Sequence, residues 1–157
     1  MAEFRGRLRA IGRVAVLVSK YNELVTSKLL DGALQCCREA GLADADVDVV
    51  WLAGAFELGA GAAAAAASGR YAAIVALGAV IRGETAHFEL VAGEAARGLS
   101  DVAARTGIPV AFGVLTTDNL EQALARAGGV AGNKGHEAAA AAITSADALR
   151  QLRESRA

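Results

Sequence analysis

The strongest constraint on this chain is an alternation. Short, mainly apolar runs are separated by stretches whose apolar residues recur at helical spacing. The runs are Val14 to Val18, Val47 to Leu52, Ala72 to Leu77 and Pro109 to Val114. Helical patterns follow over Glu23 to Glu39, about Glu57 to Ser68 and Ala86 to Thr106, and on both sides of a glycine-rich break from Gly128 to Gly135. In the helix from Ala86, Phe88, Val91, Ala92, Ala95, Leu99, Val102 and Ala103 form one apolar face, with Glu94, Arg97, Asp101 and Arg105 off it. Mainly apolar strands joined through helices predict a parallel sheet covered on both faces, with right-handed crossovers. The expected fold is therefore α/β: four β/α units forming a three-layer αβα sandwich around a four-stranded parallel sheet. A length of 157 residues fits one domain, 1–157, and such a domain buries about 70% of its unfolded surface.

In a sheet of this kind, ligands bind beyond the carboxyl ends of the strands, where helix N-termini also point. The unusual loops of this chain fall there. Tyr21-Asn22 follows the first strand, Gly54-Ala55-Phe56-Glu57 the second, Gly78 to His87 the third and Thr116-Thr117-Asp118 the fourth. The third loop is the richest. The run Ile74-Val75-Ala76-Leu77 is expected to break at Gly78 and lead through Arg82-Gly83-Glu84-Thr85 into a helix, placing free backbone N–H groups and a positive dipole end at one point, where an anion can bind. Thr85 is expected to cap the helix with its hydroxyl. His87 falls in its first turn, where the dipole favours the neutral imidazole that a proton acceptor needs.

Composition narrows the partners. A formal charge of −1 leaves no basic stripe for nucleic acid or a membrane surface. Met1 to Arg13 carries four arginines but no apolar stretch of signal-peptide length, and no later run reaches the length of a membrane span. A cytoplasmic protein acting on small, weakly charged ligands is expected. Cys36 and Cys37 are adjacent in a helical pattern and point about 100° apart, so they should not bridge. His87 and His136 stand far apart with no zinc-ligand spacing around them, so no metal is expected.

Several features have plain structural readings. The tract Ala62 to Ala67 suits close helix packing. Gly59-Ala60-Gly61-Ala62-Ala63-Ala64 has the letters of a dinucleotide fingerprint, but it lies about seven residues past its strand and lacks the acidic partner. His136 reads as an ordinary polar residue of the last helix. Glu57 can simply complement a helix dipole, Tyr21 can be core, and Arg126 and Lys134 can be solvated residues beside a turn.

Taken in order, these segments resemble the 6,7-dimethyl-8-ribityllumazine synthase family from Arg13 to about Ile143. The most specific pieces are Gly78-Ala79-Val80-Ile81-Arg82-Gly83-Glu84-Thr85-Ala86-His87-Phe88, then Phe112-Gly113-Val114-Leu115-Thr116-Thr117-Asp118, Glu121-Gln122-Ala123, Arg126-Ala127-Gly128 and Asn133-Lys134-Gly135. The resemblance implies a flavodoxin-like fold. It also implies condensation of 5-amino-6-(D-ribitylamino)uracil with 3,4-dihydroxy-2-butanone 4-phosphate, releasing phosphate and water without metal or redox cofactor. Tyr21 would stack on the pyrimidine, Asn22 and Glu57 would contact the ribityl chain beside Ala55 and Phe56, and the backbone at Val80 and Ile81 would read the pyrimidine edge. Gly83, Glu84, Thr85 and Arg126 would hold the phosphate, His87 would shuttle protons, and Lys134 joins the substrate-binding set. Arg126 and Phe112 would come from a neighbouring subunit.

By the same resemblance, five subunits form a ring, and twelve rings can close into a 60-subunit icosahedral shell, with riboflavin synthase as an associated partner. An arm of residues 1–12 would place Phe4 to Leu8 as a strand in a neighbour's sheet. Ala86 stands where many members have proline, Leu58-Gly59 replaces isoleucine-proline, Leu90 fills a position that is often aromatic, and Val130 replaces a frequent lysine. The first three changes remove no chemical group from the expected site, and Val130 falls in the short Gly128 to Asn133 turn that resembles shell-forming members. Three alternatives remain: a related riboflavin synthase acting on two lumazines, a non-catalytic flavin- or lumazine-binding carrier or shell protein, and a generic flavodoxin-like module that binds flavin mononucleotide.

Overall fold

The computed structural model describes residues 1–155; the last two residues of the expected 1–157 domain lie outside them. The elements alternate as β1 (Arg13–Ser19), α1 (Glu23–Glu39), β2 (Val47–Leu52), α2 (Leu58–Ala67), β3 (Tyr71–Ile81), α3 (His87–Thr106), β4 (Val110–Thr117), α4 (Leu120–Ala125), β5 (Ala127–Gly129), β6 (Gly132–Asn133) and α5 (Lys134–Glu154). The four long strands form a parallel sheet in the order β2-β1-β3-β4, and β5 and β6 make a small antiparallel hairpin inside the glycine-rich break. Strand order reverses between β1 and β3, which makes their carboxyl ends the switch point at which an α/β sheet opens a crevice.

Strand alternation divides the core between the two faces of the sheet. Val14, Val16 and Val18 of β1 pack with Leu29, Ala33, Cys36, Leu77 and Ile143 on the face covered by α1 and α5. Ala15 and Leu17 pack with Leu58, Ala62, Ile74, Ala76 and Leu99 on the face covered by α2 and α3. This is the predicted three-layer α/β sandwich. Both cysteines are free and buried, and burial pushes the Cys36 thiol up to about 11, which leaves it without nucleophilic thiolate at neutral pH.

Three local expectations are corrected. The third strand does not break at Gly78: β3 runs on to Ile81, with Gly78 paired to Val114 of β4. The glycine serves close packing, because a Cβ there would lie 3.3 Å from Ser19 Oγ and 3.4 Å from Leu58 Cδ1. The strands are also not all covered on both faces. Edge strand β2 leaves Val49, Val50 and Trp51 exposed, since among the described residues no strand lies beyond it. Finally, only part of the alanine tract packs: Ala62 is buried, while Ala63, Ala64 and Ala67 face solvent. Closer to its start, α2 meets α3 at two glycines, where a Cβ on Gly59 would touch the Gly98 backbone at 3.4 Å.

Phe4 to Leu8 form no strand within this chain. The arm instead crosses α5: Arg7 N–H donates to Asp147 Oδ2 at 2.8 Å, Arg9 Nη2 reaches Asp147 Oδ1 at 2.7 Å, and Gln151 Nε2 donates to Arg5 O at 2.9 Å. Asp147 is fully buried. The Arg9 guanidinium, then the Arg7 backbone N–H, hold its carboxyl well below the usual range, at about 2. Among the described residues no helix is long and apolar enough to cross a membrane.

Candidate active site

The strand ends are drawn together by backbone contacts. Lys20 N–H donates to Leu52 O at 2.7 Å and Tyr21 N–H to Ala53 O at 3.0 Å, joining the exits of β1 and β2. Asn22 adopts a left-handed conformation, φ 61°, which the short polar side chain of asparagine tolerates. Its amide donates to Ala79 O at 2.8 Å, joining β1 to β3. Past this junction lies a cavity of about 730 Å³, walled by the ends of β1, β2 and β3 and by the first turn of α3. Tyr21, Ala55, Phe56, Glu57, Val80, Ile81, Gly83, Thr85 and His87 line it.

The lining is an apolar slot with a polar end. Tyr21, Phe56 and Leu90 present large rings or side chains that stay more than half exposed. That is room for a flat ring to be sandwiched. Glu57 ends the single turn Ala55–Glu57, and its carboxylate folds back over Gly54, where a Cβ would come within 3.2 Å of Oε2. At the polar end, no hydrogen bond among the described residues occupies the backbone N–H of Gly83, Glu84 or Thr85. These free donors sit just ahead of α3, whose dipole adds positive potential. The expected Thr85 cap is weaker than predicted. Ala86 already has helical geometry, so the hydroxyl falls one residue early and meets only His87 N–H, at 3.5 Å.

The sequence model of the 6,7-dimethyl-8-ribityllumazine synthase family matches residues 12–150. Over 142 residues the chain is 51% identical to a protein of Edwardsiella ictaluri (strain 93-146) named 6,7-dimethyl-8-ribityllumazine synthase, a match covering 90% of this chain and 91% of that one. The chain belongs to the 6,7-dimethyl-8-ribityllumazine synthase family.

Not every residue expected at the site of this family member lines its cavity. Asn22 is engaged with Ala79, as above, and Glu84 is not among the lining residues. Phe112 lies on edge strand β4, in register with Ala76 and nearly half exposed. Arg126 caps the carboxyl end of α4, with Nη1 on Gln122 O at 3.0 Å, and Lys134 pairs with Glu137 at the start of α5. Phe112 and Arg126 thus sit on β4 and beyond it, away from the β1 and β2 walls of the cavity. Conversely, Ala53, Leu90 and Val91 line the cavity without having been expected to. Leu90 was detectable as an apolar residue lying off the apolar stripe of α3. His136, read as merely polar, braces α5 to α1 through Glu39 Oε2 at 2.8 Å.

Proposed function

We propose that the protein condenses 5-amino-6-(D-ribitylamino)uracil with 3,4-dihydroxy-2-butanone 4-phosphate to give 6,7-dimethyl-8-ribityllumazine, phosphate and water, the penultimate step of riboflavin biosynthesis. One observation carries the reading: a single cavity joins an aromatic slot to a row of free backbone donors with an imidazole beside them. The ring of the uracil stacks on Tyr21 in the slot against Phe56, with Val80 and Ile81 reading its edge. Its ribityl chain runs towards Ala55, Glu57 and Asn22. The phosphate of the second substrate takes the N–H groups of Gly83, Glu84 and Thr85, and His87 moves protons next to it.

The chemistry suits these groups. Imine formation, phosphate elimination and ring closure need proton transfers and a stabilised leaving anion, and an imidazole and an arginine near a helix N-terminus supply both. Alignment of the two substrates does most of the work, since holding reactants together can lower a barrier by roughly 7 to 11 kcal/mol. No metal or redox cofactor enters this scheme.

The cavity of one chain is open, and a ring of five copies would complete it. In that arrangement a neighbour brings Phe112 to the aromatic slot and Arg126 to the phosphate, with Lys134 near the same junction. The exposed edge of β2 would receive Phe4 to Leu8 of another copy, so that one domain, 1–157, carries residues 1–12 as an exchanged arm. Twelve such rings closing into a cytoplasmic 60-subunit shell, able to associate with riboflavin synthase, extend the same proposal. Light scattering that finds only a pentamer at every pH and salt concentration would reject the shell.

The reaction itself is tested by mixing the protein with both substrates and following lumazine fluorescence, with Arg126→Ala as control. Turnover that falls in the control, through weaker saturation by the phosphorylated substrate, is expected. Tight ligand binding without turnover would instead make the protein a carrier.

A further inference from the structure

Arg82 has no role in the reading above, yet it joins every element around the phosphate loop. It follows β3 directly, and its backbone N–H donates to Thr117 O at 2.8 Å, which extends the β3–β4 pairing by one residue. Its guanidinium lies 4.4 Å from the centre of the Phe88 ring, bonds Glu89 in the first turn of α3, and donates through Nε to Asp118 Oδ1 at 3.1 Å in the loop after β4. A planar fork can meet two carboxylates and an aromatic face together, as an ammonium cannot. Both carboxylates counter its charge, so Arg82 is not a free cation waiting for a phosphate.

The contacts continue past Asp118. Its backbone N–H donates to Gln122 Oε1 at 2.8 Å, and Gln122 O accepts from Arg126 Nη1 at 3.0 Å. One run of contacts therefore begins at the residue before Gly83 and ends at the arginine offered to the neighbouring site. Little of the fold depends on it. Arg82 is half exposed, exposed ion pairs contribute weakly, and α3 is anchored separately by buried Ala95, Leu99 and Val102.

We infer that Arg82 is a positioning residue: it fixes the Gly83–Thr85 donors and the first turn bearing His87, and couples them through Asp118 and Gln122 to Arg126. The inference rests on the reading of that loop as the phosphate site. Loss of the clamp leaves the donors present but wrongly aimed, and misplacement of this kind can cost up to about a hundredfold.

The test uses the assembled protein and its Arg82→Ala, Arg82→Lys and Asp118→Asn variants. It reads inorganic phosphate binding by calorimetry, KM for each substrate, and thermal unfolding. Arg82→Ala should weaken phosphate binding and raise KM for the phosphorylated substrate about tenfold or more, while KM for the ribitylaminouracil and the unfolding temperature change little. Arg82→Lys should recover only part, and Asp118→Asn should shift the same KM in the same direction by less. Combining Arg82→Ala with Asp118→Asn should add less than the sum, as for groups in one network. Unchanged phosphate binding in Arg82→Ala would overturn the inference, as would an equal rise in both KM values. If Arg82→Ala does not fold, Asp118→Asn decides by the same two readouts. Wild-type protein that turns over normally while the variants match it sinks only the role of Arg82; wild-type protein that binds no phosphate sinks the phosphate site itself.

Discussion

The two faces of the sheet are finished to different degrees. On one, α1 and α5, of 17 and 21 residues, close over β1 and β3 and bury Leu29, Cys36 and Ile143 completely. On the other, α3 of 20 residues is joined by an α2 of only ten, which shows three alanines to solvent, and both helices begin at a cavity rimmed by Tyr21, Phe56 and Leu90 at 74%, 60% and 66% exposure. Large apolar groups clustered together in water mark a surface that a ligand or partner covers. The closed face holds the fold. The open face, together with the bare β2 edge, is where substrates and neighbouring copies are expected.

That division can be broken most sharply by truncation. Ile143→Ala on the closed face should cost about 2–5 kcal/mol in denaturant unfolding; a cost near zero would mean that this face is not the structural one. Tyr21→Ala on the open face should leave stability within about 0.5 kcal/mol. It should weaken ribitylaminouracil binding by about 1–3 kcal/mol, the worth of one stacked base, and a titration showing unchanged affinity would empty the slot of its role. His87→Ala should slow turnover by about a hundredfold, the low end of acid–base contributions, with both KM values nearly constant.

The smallest effect is confined to acid. Asp147 titrates near 2 when folded against 3.8 ordinarily, so the unfolded chain binds more protons between those values. Its contribution is complete above about pH 4 and is lost as pH falls towards 2. Amide exchange should show Arg7 N–H protected through the neutral range and released only in that acid window; release near pH 6 would show that Asp147 does not hold the arm.

Much of this layout was legible from residue order. Val47–Leu52 matches to the residue, and so does the apolar face of α3, because strand and helix periods are local properties; of the four expected loops, those after β1, β2 and β3 reach the cavity, whereas Thr116 and Thr117 continue β4. Gly78 was misread because glycine marks both a turn and a close approach, and only the positions of Ser19 and Leu58 decide between them. The exposed half of the alanine tract was illegible because alanine suits buried and exposed helix alike. At the site, nine expected residues meet in one cavity, whereas Asn22, Glu84, Phe112, Arg126 and Lys134 do not line it. The proposal assigns Phe112 and Arg126 to another copy on the family resemblance, since no residue pattern within one chain marks such a role. Arg82 reads in sequence only as the first residue of the anion loop, because the two carboxylates it clamps, Glu89 and Asp118, lie 7 and 36 positions away.

The central claim is that the open face becomes an active site only when a second copy supplies Arg126. It is tested most directly by reassembling two defective variants, His87→Ala/Glu57→Ala and Arg126→Ala, in equal amounts, and measuring lumazine formation. If sites are shared between neighbours, random mixing restores full residue sets at about a quarter of the junctions of a ring, and activity should rise well above that of either parent. Activity no greater than the average of the two parents would mean that each chain builds its site alone, and would contradict the account.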